Sequence, residues 1–228
     1  VGAPAPLDEV LGALPGVAGG AEAAHGGGVM LLLLLRGALG GRGPPRQDCV
    51  ARLLLLQLLL PIAIAILVGP DYEDLEVWYP KLRLEEAGYH TPLIGNGDAM
   101  YHGKWGYPAT MDGHVADLDP TTLRGIVAPG GWAPDKLRRD PAVLSLVRRV
   151  YEQGGVVGTI CHGPWILISA GIVRGKRMTS SLGILDDLTN AGAIWVDEPA
   201  VVDGNIVSAR VPKDLPAFTR AMLGALGD

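Results

Sequence analysis

A cysteine followed directly by a histidine is the part of this 228-residue sequence in which chemistry is most readily expected. Cys161 comes at the end of an apolar run, residues 156–160, and immediately before a segment with helical periodicity. A thiol at such a strand-to-helix turn lies near unpaired amides and the positive end of the helix dipole, which favour the thiolate. A free cysteine is also often a small buried hydrophobic residue, but this turn resembles the nucleophile elbow of hydrolases. We therefore predict that Cys161 is a nucleophile.

Two further features follow apolar runs that we predict to be strands of the same sheet. Glu73 comes shortly after the run at 62–68, and a carboxyl near a thiolate is pushed towards its protonated form, from which it can donate a hydrogen bond to sulfur. From its position alone, Glu73 equally fits an ordinary first-turn residue of a helix. Gly130 and Gly131 follow residues 125–128 and either allow backbone amides to approach a substrate oxygen, as in an oxyanion hole, or form a simple turn.

The positions of the histidines limit the choice of general base. Histidine occurs at positions 25, 90, 102, 114 and 162, and nowhere after 162. A triad of the glutamine amidotransferase type, whose histidine lies well downstream of the nucleophile, is therefore excluded. The base is either His162 or an upstream histidine brought in by folding, because adjacency to a cysteine does not guarantee that the ring meets the sulfur.

Charge and cysteine content exclude several classes of protein. The chain carries 19 Lys and Arg against 24 Asp and Glu, a net charge of −5, so nucleic acid is not expected as a partner. Two cysteines, Cys49 and Cys161, cannot form a disulfide framework, and a reducing, cytoplasmic compartment fits best. The sequence has no HExxH motif, no paired cysteines and no glycine-rich phosphate motif. We therefore expect neither a metal nor a cofactor.

Residues 1–60 differ in composition from the rest of the chain. All Trp, Tyr and Phe residues lie between Tyr72 and Phe218, whereas the first part of the chain has clusters of Gly and Pro, and such a segment can bury little. We predict a non-family extension outside the fold over 1–60 and an α/β domain over 61–228. Residues 53–68 are apolar enough to be considered as a membrane anchor, but their β-branched second half better fits a strand buried on both faces.

Apolar runs alternate with amphipathic segments from residue 62 onward. Short β-branched runs bounded by Gly and Pro indicate strands, and segments such as 141–153, with apolar residues on one face, indicate helices. The other boundaries that we expect are a helix capped by Asp71, a strand at 90–94, a hairpin excursion over 98–117 and a hairpin of 194–196 with 201–208. The alternation predicts an α/β fold with a doubly wound, mostly parallel sheet flanked by helices, in which functional residues gather at the carboxyl ends of strands.

Five groups of residues, in order and at characteristic spacing over roughly 62–226, carry a resemblance to a known family. They are Asp71-Tyr72-Glu73-Asp74 with Tyr79-Pro80, Ala128-Pro129-Gly130-Gly131 with Ala133-Pro134-Asp135, Thr159-Ile160-Cys161-His162-Gly163-Pro164, Asp186-Asp187 with Asn190-Ala191-Gly192, and Val201-Val202-Asp203-Gly204-Asn205. With these, the chain resembles the PfpI-type intracellular cysteine proteases of the ThiJ/PfpI superfamily. The resemblance implies a flavodoxin-like, glutamine amidotransferase-like fold with a nucleophile elbow.

The resemblance also implies roles for individual residues. It makes Cys161 the nucleophile, His162 the general base and Glu73 the carboxyl that contacts the sulfur, with the backbone amides of Gly131 and His162 as the oxyanion hole. It makes Asp135 the acidic residue that reaches across a subunit interface to orient the histidine, at a position where the family usually has Glu. A homo-oligomer, from dimer to hexamer, with the site at a subunit interface is therefore expected. A second departure from the family is Ser180-Ser181-Leu182, where relatives tend to carry an aromatic residue and Pro.

These residues predict covalent catalysis by a Cys161 thiolate on an electrophilic carbonyl. The main interpretation is a cysteine hydrolase of the peptidase or amidase type, acting on a small peptide. The alternative is a glyoxalase-like or deglycase-like protective enzyme acting on methylglyoxal, other reactive carbonyls or their adducts on proteins. The non-enzymatic alternative is a redox-sensing or chaperone-like stress protein, because an exposed thiol of low pKa is also prone to oxidation.

Overall fold

Seven strands form the central sheet of residues 63–227, the part of the chain that the computed structural model describes. The strands of this part are β1 (Ala63–Leu67), β2 (Leu93–Gly95), β3 (Met100–His102), β4 (Pro108–Thr110), β5 (Gly113–His114), β6 (Leu123–Ala128), β7 (Val156–Ile160), β8 (Arg177–Met178), β9 (Ile194–Trp195), β10 (Ala200–Asp203) and β11 (Ile206–Ala209). The sheet runs in the order β10-β11-β7-β6-β1-β2-β5, and β10 is its one antiparallel strand. The predicted doubly wound, mostly parallel α/β fold is confirmed.

Six α-helices accompany these strands in the described chain. They are α1 (Asp74–Glu86), α2 (Ala133–Leu137), α3 (Pro141–Glu152), α4 (Pro164–Ala170), α5 (Leu185–Asn190) and α6 (Leu215–Leu226). Helix α6 packs against α1 and against β7, β10 and β11, while α3 packs against α4, β6 and β7. Short 3-10 turns occur at Val115–Asp117, Pro120–Thr122, Leu182–Ile184 and Pro212–Asp214.

Strand β1 lies in the middle of the sheet, as its composition requires. Residues 64–67 are buried, because β2 and β6 pair with β1 on either side and helices cover both faces. A strand with both faces covered must be apolar at every position, and the Ala-Ile alternation meets that requirement. The predicted strand at 62–68 is therefore confirmed, and the second half of the proposed anchor segment belongs to the sheet.

Several predicted boundaries are wrong, because pairing partners decide where strands begin and a capping side chain decides where helix α1 begins. The strand expected at 90–94 is β2, which starts three residues later, and His90 makes only an isolated bridge with Ala63. The residues expected as a hairpin, 194–196 with 201–208, do not pair with each other. Strand β9 instead pairs in parallel with β8, while β10 and β11 form the hairpin. Helix α1 is capped by Glu73, not by Asp71, which has a left-handed φ of 59°.

The order of the strands brings the candidate functional residues together at the carboxyl ends of the parallel strands. Strand β1 is followed outward by β2 on one side, whereas β6 and β7 lie on its other side. Ligands of open α/β sheets bind at such a switch point, beyond the carboxyl ends of the strands. The segments that leave β1, β6 and β7 there carry Glu73, Gly131 and Cys161.

The predicted extension over 1–60 and the first half of the 53–68 segment lie outside the described residues, as does Cys49. Within residues 63–227, no helix is both long and apolar enough to cross a membrane.

Candidate active site

The turn between β7 and α4 has the backbone geometry of a nucleophile elbow. Cys161 has φ 61°, a left-handed conformation that costs a non-glycine residue about 1–2 kcal/mol. The turn closes through the Gly163 amide, which donates to the Ile160 carbonyl at 2.8 Å. A Cβ at Gly163 would lie 2.0 Å from the Ala128 carbonyl oxygen. Only glycine therefore allows the start of α4 to pack so closely on the end of β6.

Substituting this glycine should unfold or severely destabilise the protein. In Gly163→Ala the new methyl meets backbone atoms of β6, which have no rotamer to change, so we expect a loss of several kcal/mol of unfolding free energy. The matched control is Gly224→Ala in α6, where a Cβ meets nothing within 4 Å, and where alanine should stabilise by about 0.5–1 kcal/mol. Urea denaturation of the three proteins measures both effects, and equal stability of the two variants would contradict the tight packing at the elbow.

His162 lies with its ring against the nucleophile. Its Nδ1 is 3.1 Å from the Cys161 Sγ, within the reach that a general base requires. The indole of Trp165 packs edge-on against the imidazole at 5.1 Å between ring centroids. Burial, and then the positive charge of Lys104, hold the pKa of His162 below its ordinary value. The imidazole is therefore neutral at pH 7 and can accept a proton from the thiol.

Glu76 supplies the carboxyl beside the sulfur. Its side chain is fully buried, and its Oε2 accepts the Gly130 amide at 2.7 Å. A Cβ at Gly130 would lie 2.6 Å from this oxygen and 2.7 Å from the Cys161 Cβ, so only the backbone of one glycine separates carboxyl and cysteine. Burial above all raises the pKa of Glu76 to about 8, and a hydrogen bond with Cys161 opposes that rise. Its Oε1 has no hydrogen-bond partner among the described residues.

The predicted contact between Glu73 and the sulfur is wrong. The Glu73 Oε2 caps α1, accepting the amides of Leu75 at 2.9 Å and Glu76 at 3.3 Å. Its Oε1 lies 3.4 Å from the Trp105 indole nitrogen and 3.6 Å from the Lys104 Nζ. A helix whose first amides need an acceptor uses the nearest carboxylate as its cap. Glu73 is thereby turned from the nucleophile, and the residue one helical turn later takes its place.

Two backbone amides point at the nucleophile. The amides of Gly131 and His162, the predicted oxyanion hole, lower the pKa of the Cys161 thiol. Burial and the negative charge of Glu76 act in the opposite direction and outweigh them, so the pKa of the thiol is raised. The lowered pKa expected from the helix N-terminus alone is therefore wrong. Because Glu76 also has a raised pKa, Glu76 and Cys161 compete for a proton, and a protonated Glu76 removes the charge that opposes the thiolate.

Glu76 should make the stability of the protein fall as pH rises. An unfolded chain releases this proton near pH 4.5, whereas the folded chain keeps it until about pH 8. The contribution of Glu76 to the free energy of unfolding is therefore greatest below pH 4.5 and is lost progressively up to pH 8, by as much as about 5 kcal/mol at about 1.4 kcal/mol per pH unit. In Glu76→Gln this loss should disappear, whereas the exposed Glu86→Gln should retain it. Denaturation at pH 5 and pH 8 decides: equal losses in the wild type and Glu76→Gln would contradict the raised pKa.

Asp135 lies near the site but faces solvent. It belongs to α2, directly after the Gly131 turn, and its carboxylate pairs with Arg139 one helical turn later. Its side chain is 43% exposed. The structure therefore presents Asp135 outward, and its predicted action on the histidine of another subunit stays a prediction. Among residues 63–227, no three His, Cys, Asp or Glu side chains are grouped so as to hold a metal ion.

Comparison with known proteins now places this chain. The model of the DJ-1/PfpI family matches residues 63–225. The chain belongs to the DJ-1/PfpI family. It is 40% identical over 163 residues to the deglycase PfpI of Pyrococcus furiosus, a match covering 72% of this chain and 98% of that protein. A deglycase of Pyrococcus abyssi is 41% identical, with the same coverage. The resemblance drawn from the sequence is confirmed.

Solved structures of the DJ-1/PfpI family share the fold. A two-domain protein of Anabaena variabilis, with DJ-1/ThiJ/PfpI-like and ferritin-like domains, has 39% identity and a TM-score of 0.71. The match covers 73% of this chain and 48% of that protein, so this chain spans about half its length. Schizosaccharomyces pombe DJ-1 has a TM-score of 0.68 at 17% identity, covering 73% of this chain and 93% of that one. At that identity the likeness shows the fold alone.

The DJ-1/PfpI relatives also bear on the predicted activity. The two Pyrococcus relatives, 41% and 40% identical, are named deglycases, so the comparisons favour the deglycase alternative over the peptidase interpretation. Membership of a family with such enzymes supports an enzymatic role for this chain.

Glu76 is the site residue that the sequence analysis missed. A signal was available, because Glu73 and Glu76 are three residues apart and helix periodicity puts such residues on neighbouring positions of one face. Had Glu73 been assigned as the N-cap, its carboxylate would have been committed to the helix amides and Glu76 would have remained as the buried carboxyl of the first turn.

Proposed function

We propose that this protein is a cysteine-dependent deglycase, which removes adducts of reactive dicarbonyls such as methylglyoxal from protein or small-molecule amines and thiols. The observation that carries the proposal is the 3.1 Å approach of the His162 Nδ1 to the Cys161 Sγ at a strained elbow. The deglycase names of relatives at about 40% identity support this choice of substrate.

The proposed reaction needs no oxidant and no cofactor. Its net change adds one water to the adduct R–X–CH(OH)–CO–CH₃, where X is S for a thiol or NH for an amine, and yields free R–XH and lactic acid, which ionises to lactate. The Cys161 thiolate bonds to the carbinol carbon as the bond to the amine or thiol breaks, leaving a hemithioacetal. A proton then moves from that carbon to the neighbouring carbonyl carbon, and the hydroxyl proton moves to the carbonyl oxygen, which converts the hemithioacetal to a thioester. Water hydrolyses the thioester, the 2-hydroxy acid leaves, and the thiol is regenerated.

The residues of the site supply the proton transfers and the charge stabilisation. Neutral His162 accepts the thiol proton and returns a proton to the departing amine or thiol. The amides of Gly131 and His162 stabilise negative charge on the substrate oxygen. Glu76 holds a proton beside the sulfur, so that the thiolate forms opposite a neutral carboxyl instead of a charged one.

We further propose that the site is completed in a homo-oligomer, with Asp135 of one subunit orienting His162 of the next. The exposed, outward position of Asp135 supports a partner outside its own chain. Large apolar side chains are also exposed along α1 and the loop between β3 and β4, namely Leu75, Leu82, Trp105 and Tyr107. A surface patch of this kind is typical of protein interfaces.

Side-by-side assays of the two substrate classes test the proposed activity. We expect the purified protein to release free thiol and lactate from methylglyoxal-modified N-acetylcysteine, and to cleave casein peptides slowly or not at all. Cys161→Ser is the matched control, because it keeps the size of the side chain and removes the nucleophilic sulfur. Cys161-dependent cleavage of casein without release of lactate would overturn the deglycase proposal in favour of the peptidase interpretation. Activity against neither substrate would overturn both.

A further inference from the structure

The loop between β3 and β4 lies beside the turn that carries the oxyanion amide. Tyr72 forms a parallel bridge with Gly103 and an antiparallel bridge with Gly131, so these backbones run side by side. The Lys104 amide donates to the Tyr72 carbonyl at 2.8 Å. Neighbouring extended strands are about 4.8 Å apart, which puts the backbone of this loop about 10 Å from Gly131. A lysine side chain can span most of that distance.

The same loop is held in place by a buried carboxylate. Asp74, 8% exposed, accepts the amide of Trp105 at 3.1 Å and that of Tyr107 at 3.0 Å. A Cβ at Gly103 would lie 2.4 Å from this carboxylate, so the glycine lets the loop close onto it. These contacts fix the backbone from which the Lys104 side chain projects, and such preorganisation lowers the cost of binding a ligand.

The ammonium of Lys104 has capacity left for a ligand. Its Nζ is 3.6 Å from the Glu73 Oε1, beyond hydrogen-bonding distance, and it makes no hydrogen bond to any residue of the described chain. The Glu73 carboxylate is already engaged by the first amides of α1. By contrast, the Nζ of Lys136 is bound to Asp71 at 2.7 Å. Lys104 therefore keeps its donors available while Lys136 does not.

The charge of Lys104 also reaches the reacting groups. It lowers the pKa of both His162 and Glu76. Its side chain is 36% exposed, so an anion arriving from solvent can meet it without displacing the protein. A positive group with these properties attracts negative charge to the mouth of the site.

We propose that Lys104 is a specificity residue that binds a carboxylate carried by the substrate whose aldehyde carbon Cys161 attacks. This inference rests on the proposed function, and it names the preferred substrate class as 2-oxo aldehydes that carry a carboxylate beyond the ketone carbon, such as 4,5-dioxopentanoate, and their adducts. Neutral dicarbonyls such as methylglyoxal are turned over without this contact. The carboxylate of the 2-hydroxy acid product meets the same ammonium.

Alkylation of Cys161 by a charged and a neutral reagent tests the inference without turnover. In both iodoacetate and iodoacetamide the sulfur bonds to the methylene carbon and iodide leaves, and the reagents differ in their carboxylate. We expect the rate ratio of iodoacetate to iodoacetamide at Cys161, followed by mass spectrometry of its peptide, to fall about fivefold in Lys104→Met. The ratio cancels any change in the reactivity of the sulfur itself. It should be largely retained in Lys104→Arg, and in the wild type it should fall in 0.5 M salt.

The matched control is Lys136→Met, which removes an equal charge from the same side of the sheet and should leave the ratio unchanged. An unchanged ratio in Lys104→Met, or an equal fall in Lys136→Met, would overturn the inference. Turnover gives a second readout: Lys104→Met should raise the KM for 4,5-dioxopentanoate about fivefold relative to that for methylglyoxal. If the wild type turns over neither compound, the proposed function fails, while the alkylation ratio still decides whether Lys104 binds a carboxylate.

Discussion

Replacing Cys161 with alanine is expected to lower deglycase turnover by at least ~10⁴-fold, because every proposed covalent intermediate is attached to its sulfur. The neighbouring groups cannot compensate. In this variant His162 has no thiol from which to accept a proton. The amides of Gly131 and His162 then face a methyl group. Lactate release from methylglyoxal-modified N-acetylcysteine at pH 7 measures the loss, and residual activity within tenfold of the wild type would exclude Cys161 as the nucleophile.

A second substitution at the same position separates catalysis from folding. Cys161→Gly removes the sulfur as Cys161→Ala does, but glycine adopts φ 61° without the steric cost that alanine retains. The glycine variant should therefore be as inactive as the alanine variant and about 0.5–1 kcal/mol more stable. Together they would show that the elbow stores strain in order to hold the nucleophile, as is common at functional sites. Equal stability of the two variants would mean that the left-handed backbone carries no cost here.

Asp135→Asn is expected to have the other large effect, a loss of up to ~10⁴-fold in turnover. The reason is the proposed role of the carboxylate, which holds the correct tautomer of His162 and stabilises the imidazolium as it forms, as the orienting carboxylate does in serine proteases. The substitution keeps the size of the side chain and removes its charge. Because Asp135 is exposed and pairs with Arg139 in the turn that follows α2, Arg139→Gln is the matched control and should retain activity.

Mixing inactive subunits tests whether Asp135 acts on a neighbouring chain. Cys161→Ser and Asp135→Asn proteins, each inactive alone, should regain part of the activity when their subunits exchange, since some interfaces then combine an intact Cys161 and His162 with an intact Asp135. Dilution of the wild type below the dissociation constant of the oligomer should abolish activity. Full activity of a protein that light scattering shows to be monomeric would mean that the site is complete within one chain. Subunit exchange without recovery of activity would mean the same.

The Glu76 and Cys161 pair connects catalysis with stability. The burial that lets a protonated carboxyl lie beside the sulfur also raises the pKa of Glu76 well above its ordinary range. The protein therefore carries a carboxyl whose ionisation on raising the pH costs both stability and the ease of forming the thiolate. The expected stability loss between pH 4.5 and pH 8 and the activity of the thiol are two consequences of one buried proton.

Local features of the sequence determined much of this site. The β-branched, wholly apolar run at 63–67 can bury all its side chains only between two neighbouring strands and two layers of helices. The change from an apolar strand to a helical pattern at Cys161 marks the elbow, because the chain must turn sharply where the two periodicities meet. His162 follows Cys161 in the sequence and was therefore a candidate base, but the 3.1 Å contact of its ring with the sulfur came from the structure. The family, the fold and the nucleophile could all be predicted for these reasons.

The tertiary structure alone decided which carboxyl meets the sulfur and which lysine faces the site. The N-cap of α1 is Glu73, two residues later than the predicted Asp71. At about 100° per residue, this shift changes by about 200° which face of the helix a given residue occupies, and Glu76 is the residue that points inward. Lys104 comes from a hairpin loop about sixty residues before the nucleophile in the chain, and only the bridges through Tyr72 bring it there. Both placements depend on hydrogen bonds between segments distant in sequence, and the pattern of a single segment cannot contain that information.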